Sequence, residues 1–243
     1  MTRRRAVGYL PRTMHGLYAI VDAGALDQRN LDPLAFAEAV LSVSPAALQL
    51  RAKNVSARET LALLRALAPM CHHAGVRLVA NDRPDLAILA GCDLVHVGQD
   101  DMPVDRIRRI APGLGIGVST HSLEQLDLAL ALRPDYVAFG PVFPTTTKKN
   151  PDPVVGVAGL SQAYARARAA GIPLVAIGGI TYERARSIVA AADAVAAIAD
   201  LLPPLVTAAG TRTTSEVLLE VAARARALNG LFSPPPVLAG AAL

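Results

Sequence analysis

Short apolar runs of strand length alternate with longer stretches of helical period from residue 17 almost to the end of the chain. A switch between these two periods is the main local signal for strands and helices. Strands are predicted at residues 17–21, 48–51, 77–80, 94–97, 115–119, 136–139, 174–177 and 194–198. Helices are predicted near residues 33–43, 57–74, 84–89, 104–110, 123–132, 160–170, 182–191 and 216–228.

Eight strand–helix units with strands too apolar to face water on one side are typical of a closed parallel barrel. The predicted fold class is therefore α/β, a single-domain (β/α)8 TIM barrel. A doubly wound open sheet is the alternative, because periodicity does not reveal closure. A weak internal repeat favours the barrel, since Asp93, Asp135 and Asp193 each directly precede a predicted strand.

The composition supports one folded domain in water. The 243 residues are 52% hydrophobic and 18% charged, which excludes a disordered chain. No apolar stretch reaches the roughly 20 residues that a membrane-spanning helix requires. We expect a flexible basic tail at residues 1–15, the catalytic barrel at 16–230 and a Pro-rich tail at 231–243.

The positive charge does not indicate a nucleic-acid partner. The formal net charge of +4 equals the contribution of four arginines near the N-terminus, Arg3, Arg4, Arg5 and Arg12. The rest of the chain therefore has no basic footprint, and neither nucleic acid nor a membrane is expected as a partner. Cys71 and Cys92 form no CxxC pair, which agrees with a cytoplasmic location. The oligomeric state stays open, with a homo-oligomer among the alternatives.

Polar residues and glycines follow most of the predicted strands. In a parallel barrel, the loops after the C-terminal ends of the strands carry the functional groups. The residues found there are Gln49, Arg51, Lys53, Asn81, Asp82, Gln99, Asp101, Ser119, His121, Thr145, Thr146, Thr147, Lys148, Gly178 and Gly179. We expect them to gather at one rim.

Asp82 and Asp101 are candidate metal ligands. Two carboxylates that face cations across a rim suit Mg²⁺, which completes its shell with phosphate oxygens and water. The alternative is that each aspartate caps the helix that follows it. Arg51 and Lys53 lie two residues apart, so an extended backbone points both side chains the same way. Ordinary loop cations are the alternative for this pair.

Two segments suit phosphate binding. Residues 144–149 offer hydroxyls, amides and two lysines, although such a loop can also be merely solvated. Gly178 and Gly179 precede a predicted helix at Thr181, whose positive end suits a phosphate, and turn geometry is the alternative. His121 is a candidate general acid or base, or else an anchor for the loop before Ser122.

Seven blocks in order identify a resemblance. They are LYAIVD at 17–22, QLRAK at 49–53, NDRPDLA at 81–87, VHVGQDDMP at 95–103, GVSTHS at 117–122, FGPVFPTTTK at 139–148 and AIGGI at 176–180. With these blocks the chain resembles the thiamine phosphate synthase family. The resemblance implies a Mg²⁺-dependent alkyl transfer through a dissociative pyrimidine-methylene cation. Its substrates would be 4-amino-2-methyl-5-(diphosphooxymethyl)pyrimidine and 4-methyl-5-(2-phosphooxyethyl)thiazole, and it would release diphosphate.

The resemblance also implies a role for each matching residue. It places the pyrimidine diphosphate at Gln49, Leu50, Arg51, Ala52, Lys53, Asn81, Ser119 and Lys148. It places the thiazole phosphate at Thr145, Thr146, Thr147, Gly178, Gly179, Ile198 and Ala199. The implied metal ligands are Asp82 and Asp101, and the implied catalytic residues are Arg51, Lys53, Ser119 and Lys148.

One departure from the family pattern concerns the residues after the eighth strand. Ile198 and Ala199 stand where the family usually has a Val-Ser pair. Backbone amides survive this change, but a hydroxyl contact does not. We therefore expect weaker binding of the thiazole phosphate.

Two other functions compete with the synthase. A related thiazole tautomerase shares the barrel and a histidine that corresponds to His121, but it needs neither diphosphate-binding cations nor a metal. A non-catalytic barrel that binds a phosphate ligand would be expected to keep the phosphate loops and lose the carboxylates. The synthase is favoured by the presence together of Arg51, Lys53, Asp82, Asp101 and Lys148.

Overall fold

The strands and helices alternate along the chain in a computed structural model that describes residues 14–145, 152–204 and 213–232. The strands are β1 (Gly16–Asp22), β2 (Ala47–Arg51), β3 (Arg77–Asn81), β4 (Leu94–Val97), β5 (Gly115–Thr120), β6 (Tyr136–Phe139), β7 (Leu174–Ala176) and β8 (Ala194–Ala197). The helices in these residues are α1 (Ala23–Asp27), α2 (Pro33–Leu41), α3 (Ala57–Ala74), α4 (Pro84–Ala90), α5 (Val104–Ile110), α6 (Leu123–Ala131), α7 (Gly156–Ala170), α8 (Tyr182–Arg186) and α9 (Thr214–Gly230).

The eight strands form a closed parallel barrel in chain order. Closure comes from the pairing of β1 with β8, which runs from Gly16 opposite Ala194 to Ala19 opposite Ala197. The predicted barrel is therefore confirmed, and the open doubly wound sheet is excluded. All eight predicted strands are present, and no strand end shifts by more than one residue.

The helices differ more from their predicted ranges. The helix predicted over residues 182–191 is divided into α8 and a 3₁₀ turn, Val189–Ala191. Between them Ile188 leaves the helical conformation, with φ −123° and ψ 2°, and its side chain is fully buried. The short helix α1 was not predicted, and its first turn is capped by Asp22, which accepts a hydrogen bond from the Ala25 amide at 2.9 Å.

Alternate residues of each strand pack into two separate cores, as the two-residue period of a strand requires. Leu17, Ala19 and Val21 of β1 face the helices and join the larger core. Tyr18 and Ile20 face the inside of the barrel and join a smaller core. Small residues make room there for large ones: a Cβ at Gly117 would lie 2.0 Å from Cζ of Tyr136.

Aspartates at the N-terminal rim tie neighbouring strands together. Each accepts a hydrogen bond from a backbone amide near the start of the preceding strand: Asp93 from Leu78 at 2.9 Å, Asp135 from Ile116 at 2.8 Å and Asp193 from Leu174 at 2.8 Å. At β1 the equivalent acceptor is Oδ1 of Asn229 in α9, which accepts from the Leu17 amide at 3.0 Å. The repeat seen in the sequence thus has a structural role in strand pairing.

The predicted tails lie mostly outside the described residues. Their inner ends meet at the N-terminal rim, where Nε2 of His15 donates a hydrogen bond to the carbonyl of Phe232 at 2.8 Å. The proposed boundaries of the catalytic barrel stay a prediction. Among the helices described, none combines the length and the apolar character needed to cross a membrane.

Candidate active site

The carboxyl groups of Asp82 and Asp101 meet at the C-terminal rim of the barrel, after β3 and β4. They lie close enough to interact electrostatically. Burial of the Asp101 carboxyl raises its pKa, and the nearby Asp82 raises it further. Nζ of Lys53 lies 3.3 Å from Oδ2 of Asp82. The amide of Gly98 donates to Oδ2 of Asp101 at 2.7 Å, which partly offsets the increase in its pKa. The structure thus brings together two like charges and a cation.

Neither carboxylate is occupied in capping a helix. The residue before α4 is Arg83 and the residue before α5 is Pro103, and neither helix start has a side-chain cap. Asp82 instead adopts a left-handed conformation with φ +62°, and its amide donates to the carbonyl of His96 at 2.8 Å. This turn carries the Asp82 side chain towards β4 and Asp101, and the capping alternatives are excluded.

The pair of carboxylates fits a magnesium ion in the presence of a phosphate ligand. Within the described ranges no group of three or more His, Cys, Asp or Glu side chains could enclose a metal. Mg²⁺ does not need such a cage, because it is usually held by one or two carboxylates together with substrate phosphates and water. A cation between Asp82 and Asp101 would also relieve their mutual repulsion.

Arg51 and Lys53 lie at the same rim but face opposite neighbours. Arg51 is the last residue of β2 and donates from NH1 to Oδ2 of Asp22, a carboxylate that is almost fully buried. Lys53 instead faces Asp82 on the other side. Sequence reasoning missed Asp22, although an acidic residue at the end of an apolar strand is a usable signal.

A chain of buried polar side chains crosses the inside of the barrel. The hydroxyl of Tyr18 donates to Oε1 of Gln49 at 2.6 Å and lies 2.7 Å from the hydroxyl of Tyr136. The Tyr136 hydroxyl lies 2.9 Å from Nδ1 of His96, and Nε2 of Gln49 donates to Oδ1 of Asn81 at 2.7 Å. Burial lowers the pKa of His96 to about 4, so its ring is neutral at neutral pH.

Gln49 and Asn81 were expected at the site, whereas the other members of this chain were missed. The available signal was a polar side chain at an inward-facing position of an otherwise apolar strand. Tyr18, His96 and Tyr136 all have this property. Their partners could not be read from the sequence, since the residues joined are up to 118 positions apart.

The remaining residues expected at the pyrimidine side have different exposures. Ser119 near the end of β5 is half-buried, and its carbonyl accepts a hydrogen bond from Nε2 of Gln99 at 2.6 Å. Leu50 is 1% exposed and packs between β2 and the helices, so its side chain faces away from the inside of the barrel. Ala52 is half-buried just beyond β2.

The loop after β6 packs directly against the turn after β7. Gly178 and Gly179 have φ values of +95° and +64°. A Cβ on Gly178 would lie 2.4 Å from Cα of Pro141, and one on Gly179 would lie 2.5 Å from the carbonyl oxygen of Pro144. Glycine is therefore required at both positions by conformation and by space.

This contact places Thr145 near the glycine turn, while Thr146, Thr147 and Lys148 lie outside the described residues. The amide of Phe143 donates to the carbonyl of Gly178 at 3.0 Å. Arg184 of α8 donates to the carbonyl of Gly179 at 2.7 Å and lies over the Phe143 ring at 5.1 Å. Because α8 has only five residues, its helix dipole is small, and an anion at this turn would be bound mainly by backbone amides.

The two residues that depart from the family pattern follow β8. Ile198 is half-buried at the end of the strand, and Ala199 is exposed at the start of a 3₁₀ turn, Ala199–Leu201. The methyl group of Ala199 offers no hydrogen bond. The expected weakening at this position therefore stays a prediction.

His121 anchors the ends of β5 and β6. Its Nδ1 donates to the carbonyl of Gly140 at 2.5 Å, and its own amide donates to Oε1 of Gln125 at 2.8 Å. Its Nε2 lies 3.5 Å from Oδ2 of Asp152. These contacts support the anchoring interpretation of His121.

Known proteins resemble this chain in sequence and in structure. The model of the family described as thiamine monophosphate synthase matches residues 17–201. A thiamine-phosphate synthase of Koribacter versatilis is 47% identical over 201 residues, which cover 79% of this chain and 90% of that protein. One of Roseiflexus castenholzii is 39% identical over 203 residues, which cover 83% of this chain and 87% of that protein.

A solved structure supports the same relationship. Thiamine phosphate pyrophosphorylase from Pyrococcus furiosus superposes with a TM-score of 0.74 and is 28% identical in sequence. The superposition covers 91% of this chain and 96% of the other. The matches therefore extend over all eight strands of the barrel. They include the rim residues that follow β2 to β5 and those that follow β6 to β8.

Proposed function

Because the chain belongs to the thiamine monophosphate synthase family, we propose that it is a transferase that forms thiamine phosphate. It joins 4-amino-2-methyl-5-(diphosphooxymethyl)pyrimidine to 4-methyl-5-(2-phosphooxyethyl)thiazole and releases diphosphate. The observation that carries this proposal is the proximity of Asp82 and Asp101, which interact electrostatically, beside Lys53. A diphosphate with its metal ion matches that arrangement of charges.

The pyrimidine diphosphate occupies the side of the rim formed by β2 to β5. Arg51, Lys53 and Lys148 neutralise the diphosphate, and Gln49 and Asn81 contact the pyrimidine from the inside of the barrel. This assignment is supported by the position of Gln49, which is 3% exposed and held by hydrogen bonds on both sides. Ser119, with the backbone of Leu50 and Ala52, completes this side.

The thiazole phosphate occupies the side formed by β6 to β8. Thr145, Thr146 and Thr147 supply hydroxyls, and the amides of Gly178 and Gly179 supply donors without side-chain obstruction. This proposal is supported by the packing of the β6 loop against the glycine turn. Ile198 and Ala199 contribute backbone amides alone, which makes the affinity lower than with a serine at position 199.

The residues that would hold magnesium are Asp82 and Asp101. When bound, the ion would neutralise the negative charge that grows on the leaving diphosphate. Arg51 and Lys53 act on the same charge, and fixed cations at a developing anion lower the barrier because they need no reorganisation. The protein contributes mainly binding and orientation here, with no strong general base required.

Bond changes in the proposed reaction balance without a further reactant. The bond between the methylene carbon and the diphosphate oxygen breaks, and its electron pair leaves with the diphosphate. The aminopyrimidine stabilises the resulting methylene cation by electron donation. The thiazole nitrogen then forms the new carbon–nitrogen bond with its lone pair, and positioning of the two substrates supplies much of the rate.

The decisive experiment incubates the purified protein with both substrates and Mg²⁺. We expect thiamine phosphate and diphosphate in equal amounts, and almost none after removal of the metal by EDTA. The Lys148→Ala variant should lose turnover by about two to three orders of magnitude, since it removes one charge that stabilises the leaving group. Full activity of this variant would remove Lys148 from the mechanism.

The same assay separates the alternatives. A thiazole tautomerase would isomerise its substrate without metal and would form no diphosphate. A non-catalytic barrel would bind the phosphate ligands and form neither product. Either result would overturn the proposed transfer.

A further inference from the structure

The polar chain inside the barrel has a direction that can be worked out by counting protons. Each tyrosine hydroxyl has one hydrogen to donate. Tyr18 uses its hydrogen for Oε1 of Gln49 at 2.6 Å. In the structure the Gln49 amide turns its Nε2 towards Asn81, where it donates to Oδ1 at 2.7 Å, and its Oε1 towards Tyr18.

The count continues to the histidine at the other end. Because the hydrogen of Tyr18 is used, the hydroxyl of Tyr136 donates across the 2.7 Å contact between the two tyrosines. No hydrogen of Tyr136 then remains for His96, so Nδ1 of His96 is the donor across their 2.9 Å contact. A neutral His96 therefore carries its proton on Nδ1 and has a free lone pair on Nε2.

The free lone pair lies next to the candidate site. Among the described residues none hydrogen-bonds to Nε2 of His96, and none has a fully buried side-chain nitrogen or oxygen without a partner. Nε2 therefore has no partner among these residues and keeps some accessible surface, although His96 as a whole is only 7% exposed. The ring also lies within electrostatic reach of Asp101 and His121, both at that rim.

We propose that Tyr18 and Tyr136 are positioning residues that hold His96 as its Nδ1–H tautomer, so that Nε2 accepts a hydrogen bond from the exocyclic amine of the pyrimidine substrate. This assignment rests on the proposed function, because that function supplies the aminopyrimidine. The same series of hydrogen bonds also holds the Gln49 amide in one orientation. It therefore positions two side chains of the pyrimidine pocket, Gln49 and His96. A pyrimidine with an oxo group in place of the amine would place an oxygen lone pair against the lone pair of Nε2, and no hydrogen bond would form.

The first experiment measures the tautomer in the protein without ligand. Nitrogen-15 NMR of labelled histidine distinguishes a protonated from an unprotonated ring nitrogen, and we expect protonated Nδ1 and bare Nε2 for His96. Observation of the Nε2–H form in the wild type would overturn the proposal.

The Tyr18→Phe variant tests the direction of the chain. Tyr18 makes no hydrogen bond to His96, yet its removal deprives the Tyr136 hydroxyl of its acceptor. Tyr136 then donates to Nδ1 of His96, and the ring should shift to the Nε2–H form. The Tyr136→Phe variant removes the acceptor of Nδ1 directly and should give a mixture of both forms.

A control tyrosine lies at the opposite end of the barrel. The hydroxyl of Tyr164 bonds to Asp193 at 3.3 Å, so Tyr164→Phe should leave the His96 signals unchanged. Unchanged signals in a folded Tyr18→Phe variant would overturn the proposal. If Tyr18→Phe does not fold, the test rests on two other spectra. The wild type should show the Nδ1–H form of His96, and Tyr136→Phe should show a mixture of both forms.

The second experiment measures ligand choice. We compare dissociation constants for thiamine phosphate and for its 4-oxo analogue, and expect the wild type to prefer the amino form by roughly 100-fold. In Tyr18→Phe the preference should fall below roughly tenfold, because Nε2 no longer accepts. An equal loss of affinity for both ligands would indicate a merely structural role and overturn the proposal.

The two proposals fail in different ways. A wild-type protein with the Nδ1–H tautomer that binds neither ligand would overturn the proposed function and the ligand assigned to His96. A wild-type protein that forms thiamine phosphate but shows the Nε2–H tautomer would overturn only the role of the tyrosines.

Discussion

The two rims of the barrel use the same side chain for opposite purposes. At the N-terminal rim, Asp135 accepts a hydrogen bond from the Ile116 amide at 2.8 Å, and Asp93 and Asp193 have the same kind of partner. At the C-terminal rim, Asp82 and Asp101 face each other, and their cation Lys53 is exposed. A carboxylate with a fixed amide partner adds stability, whereas two carboxylates with few fixed partners are available to a ligand.

The position of Asn229 strengthens this comparison. The residue at the equivalent place before β2 is Ala46, so the repeated aspartate is missing there. Asn229 of α9 supplies the acceptor for β1 instead, and its Nδ2 donates to the carbonyl of Val43 at 2.9 Å. A side-chain acceptor is thus present near the start of each odd-numbered strand, and at β1 it comes from a helix and not from the residue before the next strand.

The largest effect is expected for Asp82→Ala, which should lower kcat/KM by about a thousandfold. The fold should persist and the melting temperature should change little, because the removed repulsion with Asp101 is offset by the lost Lys53 pair and by alanine at φ +62°. Steady-state turnover and thermal unfolding measure the two effects. Asp85→Ala is the matched control on an exposed aspartate paired with Arg83, and it should leave turnover unchanged. Turnover of Asp82→Ala within tenfold of the wild type would contradict the distinction between the rims.

Next in size is Gly178→Ala, which should lower the free energy of unfolding by about 3 kcal/mol and weaken the thiazole phosphate site. The new Cβ would lie 2.4 Å from the Pro141 backbone in a residue with φ +95°. Gly171→Ala at the other end of β7 is the control, since φ is +68° and no atom lies within 4 Å of its Cβ. It should cost about 1 kcal/mol through conformation alone. Equal losses in urea unfolding would show that the contact with the β6 loop is unimportant.

A smaller effect is expected for Asp135→Ala at the N-terminal rim. The Ile116 amide would lose its partner while Ile116 stays 1% exposed, so the free energy of unfolding should fall by about 2 kcal/mol. Turnover below the melting temperature should be unchanged. Urea unfolding and steady-state kinetics on the same preparation measure both quantities, and a loss of activity in the folded variant would break the comparison.

The smallest effect is expected for Arg83→Ala, although Arg83 directly follows Asp82. Its guanidinium pairs with Asp85, and both side chains are about half exposed. Such pairs contribute roughly 0.5 kcal/mol or less. Turnover and the urea midpoint should therefore stay close to those of the wild type. A large loss of turnover would mean that Arg83 belongs to the site.

Much of the fold could be predicted from sequence because its signals are local. The helical period predicted α3 over residues 57–74, and the structure has this helix with a full capping box at its start between Ser56 and Glu59. The apolar runs predicted all eight strands, since a strand buried on both faces must be apolar along its whole length. The predictions were weaker where tertiary packing acts, as at Ile188, whose burial interrupts the helix predicted there.

The site was predicted as a set of residues but not as a set of contacts. Asp82 and Asp101 were expected together because strands β3 and β4 are neighbours in a barrel. The partner of Arg51 was not foreseen, since Asp22 lies 29 residues earlier in the chain. Tyr18, His96 and Tyr136 were missed entirely, because an isolated polar residue in a strand does not reveal which strands lie opposite it.

The sequence by itself determined the order of strands and helices and the types of residue at their ends. These features follow from the period of apolar positions and from capping and turn chemistry, which act over a few neighbouring residues. Only the tertiary structure decided which side chains meet across the barrel and form hydrogen bonds there. Closure brings Tyr18 of β1 to Tyr136 of β6, and hydrogen-bond direction depends on every member of the chain at once.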